Sequence, residues 1–170
     1  HHVYKLIKRV YNWHIESDIY HEVNPAKVIK FPKYDNRVNN ILSSEQAVQL
    51  IRYLDHWENR RAALVLLFAL YTGRRRGEIL SLTWDDVDLE HKVITCRDTK
   101  NGSSLSFPLN RNALSVLDEA WNLEVSQLVF PCNTGKYYHS IGATWQRLRK
   151  RLNREQGFPM IRFHDLRHTY

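Results

Sequence analysis

Three consecutive arginines, Arg74-Arg75-Arg76, follow Gly73 at the end of a strongly apolar run, Ala62–Leu70. Adjacent like charges repel, so such a cluster is either a solvated helix end or a place built to hold a strong anion. Glu78 lies three residues past Arg75, a spacing at which a carboxylate can aim a guanidinium. Arg74 and Arg76 then face solvent or the backbone of a polyanion. A second spot is His164-Asp165-Leu166-Arg167-His168. His164 and Arg167 share a face if this stretch is helical. A guanidinium offers paired donors to an oxyanion, and an imidazole gives or takes a proton near neutral pH. Asp165 at a helix start suits the positive end of the helix dipole. A His-Asp pair also occurs in metal phosphohydrolases, but no supporting set of His and Asp ligands accompanies this one. The third spot is Lys100, directly before Asn101-Gly102. A lysine at a hairpin tip can reach over a ligand; the plain alternative is an exposed turn residue.

These residues need a scaffold, and periodicity supplies one. Val3, Leu6, Ile7, Val10 and Tyr11 predict a helix over 3–20. "EVNPAKVIKFPKYDNRVNN", residues 22–40, carries two prolines and several asparagines and reads as a linker. Ser43 with Gln46 is a capping-box pattern, so a helix is expected from Ser44 to Leu54. Arg60–Tyr71 is apolar on most sides and is expected to be a central helix, with Gly73 as its terminating glycine. "RRGEILSL" restarts as a short helix ending near Trp84. Asn101-Gly102 is a hairpin signal, placing strands at 92–98 and 104–109. A helix at 111–122 comes next, then an extended piece with a turn over 127–138. The last full helix, Ser140–Asn153, is two-faced: Ile141, Trp145, Leu148 and Leu152 form one stripe, and Arg147, Lys150, Arg151 and Arg154 another. The basic stripe is either a solvated face or a track for phosphates.

The totals narrow the partner. The 170 residues hold 25 Lys plus Arg against 18 Asp plus Glu, a formal charge of +7, which biases the chain towards nucleic acid or an anionic membrane face. The longest apolar stretch is far short of the ~20 residues of a membrane-spanning helix. The two cysteines, Cys96 and Cys132, match no metal-ligand spacing, and the basic, mixed start is no signal peptide, so a reduced, cytoplasmic location is expected. His1-His2 carries no functional weight.

Taken together and in order, Thr72-Gly73-Arg74-Arg75-Arg76-Gly77-Glu78-Ile79, Thr99-Lys100 and His164-Asp165-Leu166-Arg167-His168-Thr169 resemble the motifs of the tyrosine recombinase, or phage integrase, family. "NPAKVIKFPK" (24–33) is similar to that family's interdomain linker, and "LTWDDVDL" (82–89) to the segment after its first arginine. The resemblance implies a mainly α fold with a small antiparallel β-sheet (α+β). It implies that residues 1–34 are the end of an N-terminal, SAM-like core-binding domain plus linker, and that 35–170 are a catalytic domain truncated after the H-x-x-R motif.

Residue by residue, the resemblance makes Arg75 and Arg167 the grip on a scissile phosphate. Lys100 becomes the general acid for the leaving 5′-oxygen, and His164 a proton-transfer partner. Glu78 orients Arg75, and Asp165 and His168 play supporting parts. Arg74, Arg76, Arg147, Lys150, Arg151 and Arg154 are the candidate DNA-binding cations. No cofactor and no metal is implied. The partner is a double-stranded DNA recombination site, on which the parent protein forms a tetramer. The family's nucleophilic tyrosine lies well downstream of H-x-x-R, beyond Tyr170. Tyr170 follows His168-Thr169, where the family carries a packing aromatic, and is expected to pack in the core; the chain is expected to be a monomer inactive in strand cleavage. The competing reading is a non-catalytic DNA-binding module or regulator with the same fold.

Overall fold

A computed structural model of the chain describes residues 2–29, 40–97, 104–123 and 126–170. It divides into two units, His1–Val38 and Asn39–Tyr170.

In the first unit α1 (His2–Glu16) ends four residues before the periodicity predicts. Asp18 takes a positive φ of 58°, and the amides of Ile19 and Tyr20 turn back to the carbonyl of His14. The apolar side chains Val3, Leu6, Ile7, Val10 and Trp13 are all exposed. A short turn, Pro25–Lys27, is stitched to α1 by buried Asn24, which donates to the Lys8 carbonyl at 3.0 Å and to Asn12 Oδ1 at 2.6 Å. Tyr4 adds a bond to the Ala26 carbonyl at 2.7 Å. Part of the expected linker thus belongs to a folded turn; 30–39 lie outside the described residues.

The second unit is built around α3 (Arg60–Thr72), whose residues Ala62 to Leu70 are all buried. Asn59 caps it through the Ala62 amide (3.2 Å), and Gly73 ends it in the left-handed region at φ 60°. That conformation costs any residue with a Cβ, so glycine belongs there. Packed on α3 are α2 (Ser44–Asp55), α4 (Arg76–Leu80), α5 (Arg111–Asn122) and α7 (Leu166–Thr169). The Ser43–Gln46 capping box forms in both directions, at 3.3 and 2.9 Å. Arg60 pairs with Glu119 of α5 and also reaches the Leu54 carbonyl of α2 (3.0 Å), so one side chain ties three helices.

The sheet has three antiparallel strands in the order β1 (Val87–Asp88), β2 (Val93–Arg97), β3 (Ser104–Pro108). The register runs from Val93 opposite Pro108 to Arg97 opposite Ser104. Two strands were expected; the two-residue β1 is too short to leave an alternation in the sequence. The short helix after Gly73 stops at Leu80, with a separate 3-10 turn at Trp84–Asp86. Residues 127–129 run beside 82–84, joined by Trp84 N to the Gln127 carbonyl (3.0 Å) and Val129 N to the Leu82 carbonyl (2.9 Å). The two-faced helix, α6 (Ile141–Gln156), runs three residues beyond expectation and ends at Gly157, φ 69°. Its predicted apolar stripe is buried. The fold is mainly helical with a small antiparallel sheet, and among the described residues no helix is long and apolar enough to cross a membrane.

Candidate active site

The arginine cluster is divided by its surroundings. Arg75 sits at the N-cap of α4, where Glu78 takes its guanidinium at 2.8 Å and its backbone N–H at 3.0 Å. The Arg75 side chain is 64% exposed and Glu78 only 20%. Burial pushes the Glu78 carboxyl up, but the hydrogen bonds from Arg75 and the charges of Arg75 and Arg74 outweigh it and hold the group below its ordinary value. Glu78 is therefore ionised at neutral pH and sets the bearing of Arg75.

Arg74 does not point into solvent. It is half-buried with its guanidinium carbon 3.6 Å from the centroid of the Phe107 ring on β3, and Nε donates to the Thr72 carbonyl at 3.2 Å. This planar cation on an aromatic face ties the arginine segment to the sheet. Neighbouring Cys96 of β2 reports the same proximity. Burial pushes its thiol up to about 11, with the Glu78 charge raising it and Arg74 lowering it. Arg76 is exposed, and its Nη1 lies against Gly142 of α6, 3.2 Å from where a Cβ would stand. Strands β2 and β3, which meet the arginine segment at Cys96 and Phe107, are joined by residues 98–103. Lys100 is among them and lies outside the described residues.

The second arm is the H-x-x-R segment. Phe163–Asp165 form a 3-10 turn that passes into α7. Asp165 is fully buried, accepts from the Arg162 backbone N–H (2.7 Å) and guanidinium (Nη2, 2.8 Å), and is reached by Asn40 Nδ2 at 3.4 Å. Burial alone would raise its carboxyl; the Arg162 and Asn40 hydrogen bonds, with the Arg162 charge, leave it below the ordinary value. His164 is exposed and Arg167 half-buried. Arg167 Nη1 is buried with no hydrogen-bond partner among the described residues. The rings of His164 and His168 meet edge to face at 5.2 Å.

The two arms converge on α3. Its C-terminal end delivers Arg74–Arg76, and α7 packs on it. They meet at Gly73, where a Cβ would stand 2.9 Å from Cδ1 of Tyr170. Tyr170 is 69% exposed, which corrects the expectation of a core residue. Its ring covers the backbone of the helix-ending glycine instead of entering the apolar interior.

On α6, Arg147, Lys150, Arg151 and Arg154 are exposed as the stripe implied, with Arg151 bonded to Glu155 at 2.8 Å. Arg149 escaped notice in the sequence. Its Nη1 holds the carbonyls of Ile161 (2.6 Å) and Met160 (3.2 Å), at the entrance to the H-x-x-R turn. Arg162 and Asn40 were also missed. Arg162 had a readable signal, since Arg-x-x-Asp at 162–165 repeats the spacing of Arg75 and Glu78. Asn40 had none. A groove of about 760 Å³ lies at α2 and the end of α6, lined by residues including Tyr53, Trp57 and Arg151. It holds none of Arg75, His164 and Arg167; a duplex backbone is met by an open surface, so the groove is no argument against the site. Among the described residues no three His, Cys, Asp or Glu side chains gather as a metal-ligand group.

Residues 40–170 match the model of the phage integrase family. The chain belongs to that family. Among the relatives of this integrase-family chain is the shufflon-specific DNA recombinase of Escherichia coli. It is 32% identical over 145 residues, which are 85% of this chain and 35% of that protein. The chain thus spans about a third of that relative's length. Two solved structures share the fold. The Tn1549 transposon integrase in complex with circular-intermediate DNA gives a TM-score of 0.78 at 19% identity, covering 99% of this chain and 63% of that one. A lambda integrase tetramer bound to a Holliday junction gives 0.73 at 16%, covering 98% and 51%.

Proposed function

We propose that this integrase-family chain carries the phosphate-binding part of a site-specific recombinase that breaks and rejoins double-stranded DNA through a 3′-phosphotyrosine. The observation that supports this most is the convergence of the Arg75 and Arg167 segments on one buried helix, in contact at Gly73 and Tyr170. Arg75 and Arg167 hold the scissile phosphate. A tyrosine hydroxyl attacks phosphorus in line and gives up its proton to His164 or water, the bond to the 5′-oxygen breaks, and Lys100 gives that oxygen its proton. His164 assists proton transfer or donates to a non-bridging oxygen. Charge builds on the equatorial oxygens during attack, so two preplaced guanidiniums bind that state more strongly than the resting diester.

The attacking tyrosine comes from outside these 170 residues, and the chain by itself does not cleave. A nicked suicide substrate traps any phosphotyrosine as a band shift on a denaturing gel. No adduct is expected on this chain; an adduct that vanishes with Tyr170→Phe would make Tyr170 the nucleophile and overturn this part of the reading. The family's tetrameric assembly on its DNA site is proposed for the whole protein, the chain alone being monomeric, and the protein works where that DNA is, in the cytoplasm.

DNA backbone contact is assigned to the exposed face of α6. Each phosphate neutralised steepens the fall of log K with log salt by about 0.9. Replacing Arg147, Lys150 and Arg154 together by alanine is expected to flatten the slope by roughly 3, at about one per lost contact. Arg151→Ala does less, because Glu155 already holds that guanidinium. An unchanged slope in the triple variant would take α6 off the DNA.

A further inference from the structure

Nucleating a helical turn costs more order than its one hydrogen bond returns, so what holds the first turn sets the bearing of the residues on it. For α7 that turn carries Arg167 and follows directly on the 3-10 turn of His164. At its far end the Leu42 N–H donates to Thr169 Oγ1 at 3.2 Å. At its start stands Asp165, fully buried, one residue after His164 and two before Arg167. A buried carboxylate persists only where hydrogen bonds and an opposite charge replace its water. Arg162 supplies most of these: its backbone N–H at 2.7 Å, Nη2 at 2.8 Å, and Nε at 3.1 and 3.2 Å to the two oxygens. Asn40 reaches the same carboxylate at 3.4 Å, and Arg149 holds the carbonyls of residues 160 and 161 just upstream.

The Arg162 side chain is 57% exposed, and on a basic DNA-binding chain such an arginine invites counting as a phosphate contact. Its bonds argue otherwise. One edge of the guanidinium, Nε and Nη2, is already committed to Asp165, and the backbone amide of the same residue closes on the same carboxylate.

We propose that Arg162 is a positioning residue of the phosphate site, acting through Asp165 on the turn that projects His164 and Arg167, and is not a DNA contact. The proposal rests on the reading of Arg167 as a phosphate ligand. A turn held at Asp165 fixes where Arg167 begins, and Arg167 Nη1 has no hydrogen-bond partner among the described residues to hold the side chain against drift; a misplacement of about 1 Å can cost a catalytic group about 10²-fold in rate.

The test uses the full-length protein, with Arg162→Gln, Asp165→Asn, the double variant, and Arg167→Ala as the control for the site. Expected for Arg162→Gln is a loss of about 10²-fold in single-turnover cleavage at saturating DNA, as for a misplaced catalytic group. DNA affinity and its salt slope stay unchanged. Asp165→Asn behaves alike, and the double variant is no worse than the poorer single, because both break one link. A scissile methylphosphonate is neutral and needs a guanidinium less, so it shrinks the Arg162→Gln deficit as it shrinks that of Arg167→Ala. A merely destabilised protein gets no such relief. If Arg162→Gln instead lowers affinity and flattens the salt slope by about one while Asp165→Asn cleaves normally, Arg162 touches DNA and the inference falls. It also falls if only the melting temperature drops. Normal cleavage by Arg167→Ala would bring down the reading of the site itself, whatever Arg162 does.

Discussion

Arg75→Ala is expected to slow DNA cleavage by the full-length protein roughly 10²–10³-fold, the usual cost of losing one preplaced donor to a transition-state oxyanion. Its two neighbours are expected to behave differently from it and from each other. Arg76 is exposed beside Gly142, so Arg76→Ala should change the rate little. Arg74→Ala removes the cation from the Phe107 ring, an interaction of about 0.5–2 kcal/mol. It should appear chiefly as a lower melting temperature, by about 2–4 °C for each kcal/mol in a chain of this size. Single-turnover cleavage and a thermal melt on the three alanine variants separate these outcomes. Equal rate losses at all three would mean that the cluster acts as one undivided anion site.

Lys100→Ala carries the other large effect. A positioned general acid contributes about 10²–10⁴-fold, and the variant should lose that much. The loss has a chemical signature. A 5′-bridging sulfur in place of oxygen leaves as a thiolate, whose conjugate acid has a pKa of about 8.5, and so needs no proton at departure. Cleavage of that substrate by Lys100→Ala should approach the unsubstituted protein's, while Arg75→Ala stays slow. No recovery with sulfur would remove Lys100 from the acid role.

What could be read from the chain beforehand was what depends on near neighbours in sequence. The apolar run of α3, its ending at Gly73, the Ser43–Gln46 box, the buried stripe of α6 and the Arg75–Glu78 pair are all encoded within one or two turns. What escaped depends on which elements become neighbours. Asn40 and Asp165 are 125 positions apart, and nothing local to either marks the pair. Arg74 looked like surface charge until β3 set Phe107 beneath it. Arg149 shares a helix with the exposed basic stripe, yet bonds to the loop at 160–161. Tyr170 is expected in the core because the family's motif carries a packing aromatic there, but its ring lies over the glycine at the end of α3. Three of the missed or misjudged residues are arginines, whose long stems and several donors let them serve structure or ligand with no change in the local pattern.

The division of labour between α3 and α7 also sets how each half of the site opens. Amides of α3, buried along nearly its whole length, should exchange with deuterium only when the entire second unit unfolds. Those of the 3-10 turn Phe163–Asp165 need only a local excursion, released by the few bonds at Asp165. Arg75 thus follows closely on the last part of the unit to open, at the N-cap of α4, while Arg167 follows a turn that opens early. Occupancy by an anion would then be registered mainly as slower exchange in that turn, with α3 already at its ceiling.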